Sequence, residues 1–285
     1  MRRARFHWVD VFTRQPFAGN GLCVFPDARE LSDAEMQALA RETNQSETTF
    51  VLPPTVEGAH YRARIFTPGG ELKFAGHPTL GTAATLVNIG KLVGPELVQE
   101  SAAGLTRVFV TPDKVILQAP PPRVLGEVEA ERVARAVGVP VLRPTLIESG
   151  IAHLVMQVAD LETLAAAQPD TTALTALSQE LGCTGALLFC LQSAGNAYLR
   201  ARLFAPLFGI TEDPATGSAG APLGAYLHQS GLLPGAASSF WYEQGVEMGR
   251  PSRLWLEVAA QHDGALRVAV GGAVTPVGEG EFRLP

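Results

Sequence analysis

An internal repeat constrains the fold of this chain more than any other feature of its sequence. The segment RARIFTP at 62–68 matches RARLFAP at 200–206, a shift of 138 residues. At the same shift, EMQALARETN at 35–44 falls on ALTALSQELG at 173–182, and both segments have the apolar spacing of a helix. A shift of 139 then places ETTFV on ALLFC. The sequence therefore predicts two copies of one unit, each in the order helix, strand, strand, turn and helix.

This repeat predicts the fold class and the division of the chain. A sheet and its helix must bury their apolar faces together, so we expect an α/β (α+β) fold of two pseudo-symmetric lobes, each a curled mixed sheet around a central helix. Residues 1–118 are predicted to form the first lobe and residues 124–264 the second, with the proline-rich APPPR at 119–123 as the boundary. The alternating tail, residues 265–285, is expected to return to the first lobe.

Composition limits the location and the partners of the protein. The 285 residues are 46% hydrophobic but include no run of eighteen apolar residues, so we expect a soluble chain that does not span a membrane. His7 and Asp10 interrupt the apolar stretch at the start, which lacks the form of a signal peptide, so a cytoplasmic location is expected. A net charge of −6 with scattered Lys and Arg argues against a nucleic-acid partner. The three cysteines are expected to be reduced thiols: Cys23, Cys183 and Cys190.

The turns of the two copies each carry a titratable side chain at the start of a predicted helix. GHPTLG contains His77 and DPATGS contains Asp213, and each of these residues is followed by proline. Proline suits the first turn of a helix, and the small residues leave backbone N–H groups accessible. Such a helix start can hold a carboxylate, so we predict a small acidic ligand bound in a cleft between the lobes. The candidate substrate-binding residues at these turns are Gly76, Gly217 and Ser218.

Simpler interpretations of these residues stay open on the sequence alone. His77 and Asp213 could merely cap their helices, since Asp is a favoured N-cap residue. Ser218 could bond to its own helix backbone. The recurrence of a titratable side chain at both turns favours a ligand-binding role for His77 and Asp213.

Glu47 breaks the symmetry of the repeat. Its counterpart in the second copy is Ala186, so the repeated framework does not require a carboxylate at this position. A carboxyl group at the end of a strand in a closed cleft would have a raised pKa and could both take and return a proton. The alternative is an ordinary solvated glutamate in a loop.

Other polar residues near these motifs have structural interpretations as well. Asn20 precedes a glycine, which is first a turn signal and second a candidate amide contact to substrate. Arg64 and Arg202 lie within predicted strands, where we expect outward-facing residues rather than ligands. Cys23 is expected to pack as a small apolar side chain.

Several catalytic motifs are absent from the sequence. It contains no GxSxG, HExxH, CxxC or GxxxxGK, and no GxGxxG after a strand. Neither a metal nor a nucleotide cofactor has a recognisable binding motif. We therefore expect acid–base chemistry by side chains, with no cofactor.

Five segments of the sequence together resemble the PhzF-like (phenazine biosynthesis PhzF) family. They are VDVFTRQPFAGNGLCVF, NQSETTFVLPP, RIFTPGGELKFAGHPTLGTA, LFGITEDPATGSA and EQGVEMGRPSR, and the resemblance extends from about residue 8 to about residue 280. It implies a fold similar to diaminopimelate epimerase and a homodimer. It also implies isomerisation of trans-2,3-dihydro-3-hydroxyanthranilate without a cofactor.

The resemblance also implies roles for individual residues. Glu47 becomes the proton shuttle, while His77 and Asp213 hold and polarise the substrate. Ser218, with the backbone near Gly76, binds the substrate carboxylate. Many relatives share this pattern, so the expected substrate is described only as a small cyclic or unsaturated amino or hydroxy acid.

Two other functions are compatible with the same fold. Racemases and epimerases of this fold use a cysteine thiol at each turn, but FAGHP and EDPATGS contain no cysteine. A non-catalytic protein that binds small acids could use the same helix starts. In such a protein, the loss of Glu47 would have no consequence for affinity or turnover.

Overall fold

The structure is a computed structural model that describes residues 2–192, 196–233, 235, 237–261 and 264–285. The chain divides into two compact units. The first comprises Met1–Gln118 and Gly271–Pro285, and the second comprises Ala119–Val270. Within the described ranges, no helix combines the length and the apolar character needed to cross a membrane.

The first unit contains nine strands and two helices among its described residues. The strands are β1 (Arg3–Val11), β2 (Asn20–Phe25), β3 (Thr48–Leu52), β4 (Tyr61–Thr67), β5 (Gly70–Leu72), β6 (Glu96–Ser101), β7 (Gly104–Val110), β8 (Val115–Gln118) and β18 (Val274–Arg283). The helices are α1 (Asp33–Thr43) and α2 (Gly76–Asn88). Both α1 and β4 coincide with segments that the repeat predicts.

The strands of the first unit pair in the order β18, β1, β2, β3, β4, β6, β7 and β8. Strands β2 and β3 are parallel, as are β4 and β6, and the other pairs are antiparallel. Strand β18 pairs with β1 from Arg283 opposite Arg3 to Val274 opposite Val11. This part of the tail therefore packs in the first unit.

Helix α2 is the central helix of the first unit. It contacts strands along most of the sheet, from β18 and β1 to β8, and its residues from Gly76 to Leu86 are buried. Gly81 permits this close approach, because a Cβ atom there would lie 2.5 Å from Leu22 and 2.9 Å from Val11. Hydrogen bonds between Thr82 and Thr49 (2.8 Å) and between Gln99 and Thr79 (2.9 Å) fix the helix against the sheet.

The second unit repeats this arrangement. Its strands are β9 (Arg123–Glu127), β10 (Leu142–Ser149), β11 (Ile151–Gln157), β12 (Ala186–Cys190), β13 (Arg200–Ala205), β14 (Ile210–Asp213), β15 (Ala237–Gln244), β16 (Ser252–Ala260) and most of β17 (Leu266–Gly272). Its helices are α3 (Ala130–Val137), α4 (Leu161–Ala166), α5 (Thr171–Leu181) and α6 (Gly220–Gln229).

Strand pairing shows the internal repeat directly. In the second unit β11 and β12 are parallel, β12 and β13 antiparallel, β13 and β15 parallel, and β15 and β16 antiparallel. This is the pattern of β2, β3, β4, β6 and β7. Even the register recurs, because Arg62 stands opposite Glu100 and Arg200 stands opposite Glu243.

The second copy departs from the first where its last helix begins. The sequence predicts Pro214 in the first turn of that helix, but α6 begins at Gly220 after a 3₁₀ turn over Gly217–Ala219. Pro222 instead occupies the first turn of α6, where its missing N–H has no partner to lose. The prediction that both turns open directly into an α-helix is therefore wrong for the second turn.

The expectation of outward-facing arginines is wrong for Arg202, which is buried. Its guanidinium group donates to both carboxylate oxygens of Glu212, at 2.9 and 2.8 Å, and to three backbone carbonyl groups. Arg64 is half-buried and bonds to Glu71 and Asp33. Both arginines are held by protein groups, which agrees with a structural role.

Candidate functional site

The seven predicted site residues fall into two groups, one in each unit. In the first unit, the Nε2 atom of His77 lies 3.6 Å from the Oε2 atom of Glu47. The two side chains retain 7% and 15% of their exposure. Glu47 directly precedes β3, and His77 is the second residue of α2. Because α2 packs against β3, as the hydrogen bond between Thr82 and Thr49 shows, the two side chains lie close together. The interpretation of Glu47 as a solvated loop residue is therefore wrong.

Burial sets the electrostatics of this pair. It raises the pKa of Glu47 above its usual value, because water stabilises a carboxylate better than the protein interior does. The hydroxyl of Ser46 opposes this rise in pKa by hydrogen bonding to the charged form. A carboxyl group in this state can exchange a proton at a pH closer to neutrality than a solvated glutamate.

The start of helix α2 has no side-chain cap. Its N-cap residue is Ala75, whose side chain has no acceptor, whereas α1 begins with a capping box made by Ser32 and Glu35. His77 lies inside the helix and is not its N-cap residue, so the capping interpretation is wrong for His77. The backbone of Gly76 and His77 stands at the positive end of the helix dipole, where an anion is stabilised.

Asn20 lies next to this pair in the first unit. The Oγ atom of Ser46 lies 3.4 Å from the Oδ1 atom of Asn20, and Asn20 is buried. The turn interpretation is wrong, because Asn20 and Gly21 are the first residues of strand β2 and stand opposite Val11 and Asp10. Asn20 therefore lies beside Ser46, the residue that directly precedes Glu47.

Asp213 is the last residue of β14 in the second unit, and it is buried. Its carboxylate accepts a hydrogen bond from the Thr216 hydroxyl. Asp213 caps neither the 3₁₀ turn, whose N-cap is Thr216, nor α6, whose N-cap is Ala219. The capping interpretation is therefore wrong for Asp213 as well.

Gly217 and Ser218 follow Asp213 in the same segment. Gly217 is the buried first residue of the 3₁₀ turn, and Ser218 is partly exposed. The Ser218 hydroxyl lies 3.5 Å from the Nε2 atom of His153, which is fully buried on β11. Burial lowers the pKa of His153 to about 4, outweighing the opposing effect of the Ile151 backbone, so the imidazole is neutral near pH 7.

Two buried residues that sequence reasoning did not single out lie against Asp213. Gln244 bonds to the backbone carbonyl of Asp213 and to both the N–H group and the hydroxyl of Thr216. Tyr242 is fully buried, and its pKa is raised by burial and by the negative charge of Asp213. The signal for Gln244 was its place in EQGVEMGRPSR, one of the segments of the family resemblance. Tyr242 and His153 gave no signal, because single residues within apolar strands look like core positions.

Among the residues that the structure describes, no three His, Cys, Asp or Glu side chains lie close enough together to hold a metal ion. The three thiols are free and buried. Cys23 packs in the aromatic core of the first unit, and Cys183 and Cys190 pack in the core of the second. Cys23 thus packs as an apolar side chain, as predicted.

Comparison with known proteins identifies relatives along the whole chain. A sequence model of the PhzC-PhzF family, described as phenazine biosynthesis-like protein, matches residues 9–280. The chain is 33% identical to a trans-2,3-dihydro-3-hydroxyanthranilate isomerase from Pseudomonas aeruginosa, over 98% of this chain and 99% of the relative.

Solved structures agree with this similarity. A PhzF-family phenazine biosynthesis protein from Bacillus anthracis superimposes with a TM-score of 0.89 at 25% identity, covering 100% of both chains. A predicted epimerase from Pseudomonas aeruginosa superimposes with a TM-score of 0.81 at 32% identity, covering 99% of this chain and 100% of the other. These matches confirm the predicted mixed α/β fold.

Proposed function

Because the chain belongs to the PhzC-PhzF family of phenazine biosynthesis-like proteins and is an isomerase, we propose that it isomerises a small cyclic or unsaturated amino or hydroxy acid without a cofactor. The proposed reaction is similar to the one for which the Pseudomonas relative is named. Glu47 removes a proton from one carbon of the substrate and returns it to another. No net oxidation or reduction occurs, so an acid–base group suffices.

The burial of Glu47 beside His77 carries this proposal. A base that must also return its proton needs a pKa closer to neutrality than that of a solvated glutamate, and burial raises the pKa of Glu47 in that direction. Exclusion of water keeps the abstracted proton on the carboxyl group. In this proposal the imidazole of His77, which lies 3.6 Å from the carboxylate, holds and polarises the bound substrate.

The other predicted residues receive binding roles in this proposal. The uncapped start of α2 at Gly76 supports an oxyanion site, since N–H groups at a helix start stabilise a carboxylate. A role in holding and polarising the substrate is also proposed for Asp213, as the family resemblance implies. The remaining binding contacts are assigned to Ser218, Gly217 and Asn20.

A two-thiol racemase or epimerase mechanism is a weaker explanation of this structure. That mechanism needs one thiolate at each turn. The thiols of Cys23, Cys183 and Cys190 are buried in the cores of the two units, and burial raises their pKa values. A single carboxyl group therefore remains the better candidate for the proton transfer.

Turnover in deuterated water tests the proposal. Wild type, Glu47→Gln and the exposed control Glu42→Gln are each incubated with trans-2,3-dihydro-3-hydroxyanthranilate. Wild type and the control are expected to form the isomer, while Glu47→Gln loses turnover by a factor of about 100 or more. Equal turnover in all three proteins removes Glu47 from the mechanism. If wild type is inactive, the substrate assignment is wrong.

We also propose that the protein is a homodimer, as the family resemblance implies, and that it is located in the cytoplasm. Light scattering on a size-exclusion column tests the first point, with an expected mass of twice 30.2 kDa. Fractionation of the producing cells tests the second. A mass of one chain, or recovery outside the cytoplasmic fraction, contradicts the corresponding part of the proposal.

A further inference from the structure

Gln244 is the fully buried last residue of strand β15. Its Nε2 atom donates to the backbone carbonyl of Asp213 at 2.8 Å and to the Thr216 hydroxyl at 3.0 Å. Its Oε1 atom accepts from the Thr216 N–H group at 3.3 Å. One side chain thus contacts both ends of the segment from Asp213 to Thr216.

The chemistry of these partners fixes the direction of every hydrogen bond. The Asp213 carbonyl can only accept and the Thr216 N–H can only donate, so the amide of Gln244 has a single orientation. In that orientation its NH₂ group also donates to the Thr216 hydroxyl. The hydrogen of that hydroxyl is then available to Asp213, whose carboxylate accepts it in a hydrogen bond.

The backbone next to Gln244 is shaped for the same contact. Gly245 has φ +73°, and a Cβ atom there would lie 2.5 Å from the carbonyl oxygens of Pro214 and Arg250. Only glycine allows the end of β15 to approach the Asp213 segment this closely. The close approach places the amide of Gln244 between the two residues that it bonds.

We infer that Gln244 is a positioning residue, which orients the Thr216 hydroxyl and through it fixes the direction of the Asp213 carboxylate. This inference rests on the proposed function, in which Asp213 holds and polarises the substrate. Gln244 itself need not touch the substrate. Its loss is expected to affect the chemical step, since misplacement of a polarising group by about 1 Å can lower a rate ~100-fold.

Three variants separate positioning from a merely structural role. Gln244→Met keeps the length of the side chain but removes its hydrogen bonds, Thr216→Val removes the hydroxyl, and Thr216→Ser retains it. We expect Gln244→Met and Thr216→Val each to lower kcat ~10- to 100-fold, with a smaller change in KM. Thr216→Ser should keep a kcat close to that of wild type.

The double variant adds a further condition. Gln244→Met combined with Thr216→Val should lose no more activity than the more damaging single variant, because in this inference Gln244 acts on the Asp213 carboxylate only through the Thr216 hydroxyl. Independent, multiplicative losses would overturn the inference. It would also be overturned if Gln244→Met lowered only the Tm, or if Thr216→Ser were as slow as Thr216→Val.

A measurement without substrate distinguishes failure of this inference from failure of the proposed function. Carbon-13 NMR of labelled aspartate, assigned with Asp213→Asn, reports the pKa of Asp213. Both Gln244→Met and Thr216→Val should raise that pKa, because the hydrogen bond to the charged form is lost in Thr216→Val and is no longer held in position in Gln244→Met. Tyr242, whose buried phenol also interacts with the charge of Asp213, is not mutated in either variant, so a change in the pKa of Asp213 is not due to replacement of this neighbour. An unaltered pKa of Asp213 in both variants overturns the inference, whatever the substrate.

Discussion

The Nε2 atom of His77 lies 3.6 Å from the Oε2 atom of Glu47, and both side chains are almost shielded from water. At that distance a full ion-pair hydrogen bond is not made, so the carboxylate is desolvated without full compensation. Such an arrangement costs folding stability. Its retention in the fold is understandable if the carboxyl group works on a substrate.

Replacement of Glu47 by glutamine should therefore stabilise the protein at neutral pH. Since the pKa of Glu47 is raised in the folded state, the folded protein binds more protons than the unfolded chain above pH 4.5, and stability falls as pH rises. Glu47→Gln removes that loss of stability and should raise the free energy of unfolding by about 1 kcal/mol. Urea unfolding should show a larger gain at pH 8 than at pH 4.

The matched control for this prediction is Glu42→Gln on the exposed face of α1. Its unfolding free energy should differ little from that of wild type at either pH. A Glu47→Gln variant that is less stable than wild type at pH 8 would show that the carboxylate contributes to folding.

His153 should make the protein sensitive to mild acid. Burial lowers the pKa of its imidazole to about 4, from 6.5 in an unfolded chain. Stability is then complete above pH 6.5 and falls towards pH 4, by ~3 kcal/mol in total. His153→Gln should flatten this part of the stability profile. The measurement is urea unfolding between pH 4.5 and 7, and an unchanged slope in the variant would be evidence that other groups cause the acid sensitivity.

Two glycines with similar backbone angles should respond differently to alanine. Gly245 (φ +73°) lies against Pro214 and Arg250, whereas Gly249 (φ +71°) has no atom within 4 Å of the site of a Cβ. Gly249→Ala should cost only the backbone strain, ~1 kcal/mol. Gly245→Ala adds a clash with backbone and should cost at least ~1 kcal/mol more, with a lower kcat. Equal losses of Tm would show that the close approach to Pro214 is unimportant.

The matching arginines of the two repeats should differ in their contribution to stability. Arg202→Met leaves Glu212, which is 13% exposed, and three carbonyl groups without their donor, so a loss of ~3–5 kcal/mol is expected. Arg64→Met breaks bonds to Asp33 and Glu71, which are 82% and 36% exposed, and should cost ~1 kcal/mol. Thermal unfolding of both variants provides the comparison, and a larger loss for Arg64→Met would contradict the expectation.

Much of the architecture was predictable because the repeated segments share the same spacing of apolar residues. The match of RARIFTP to RARLFAP corresponds to β4 and β13, and the two helical segments correspond to α1 and α5. The start of α6 was not predictable in the same way. When His77 is aligned with Asp213, Gly217 falls on Gly81 inside α2, yet Gly217 opens a 3₁₀ turn and the α-helix begins only at Gly220.

Residues of the candidate site were predictable to the extent that they lie in short motifs. Glu47 and His77 stand out by their residue types, and the structure brings their side chains together. Hydrogen bonds between residues that are far apart in the chain leave no short motif in the sequence. The contacts of Gln244 with Asp213 depend on the parallel pairing of β13 and β15, which the sequence near either residue does not encode.

Transfer of a labelled hydrogen within one substrate molecule tests the central claim most directly. A substrate deuterated at the carbon that loses its proton is converted in ordinary water, and the product is analysed by mass spectrometry before extensive conversion. If Glu47 alone takes and returns the proton in a site shielded from water, part of the deuterium appears at the new carbon, and Glu47→Gln forms no labelled product. Complete loss of label to solvent, together with unchanged turnover by Glu47→Gln, would contradict the account.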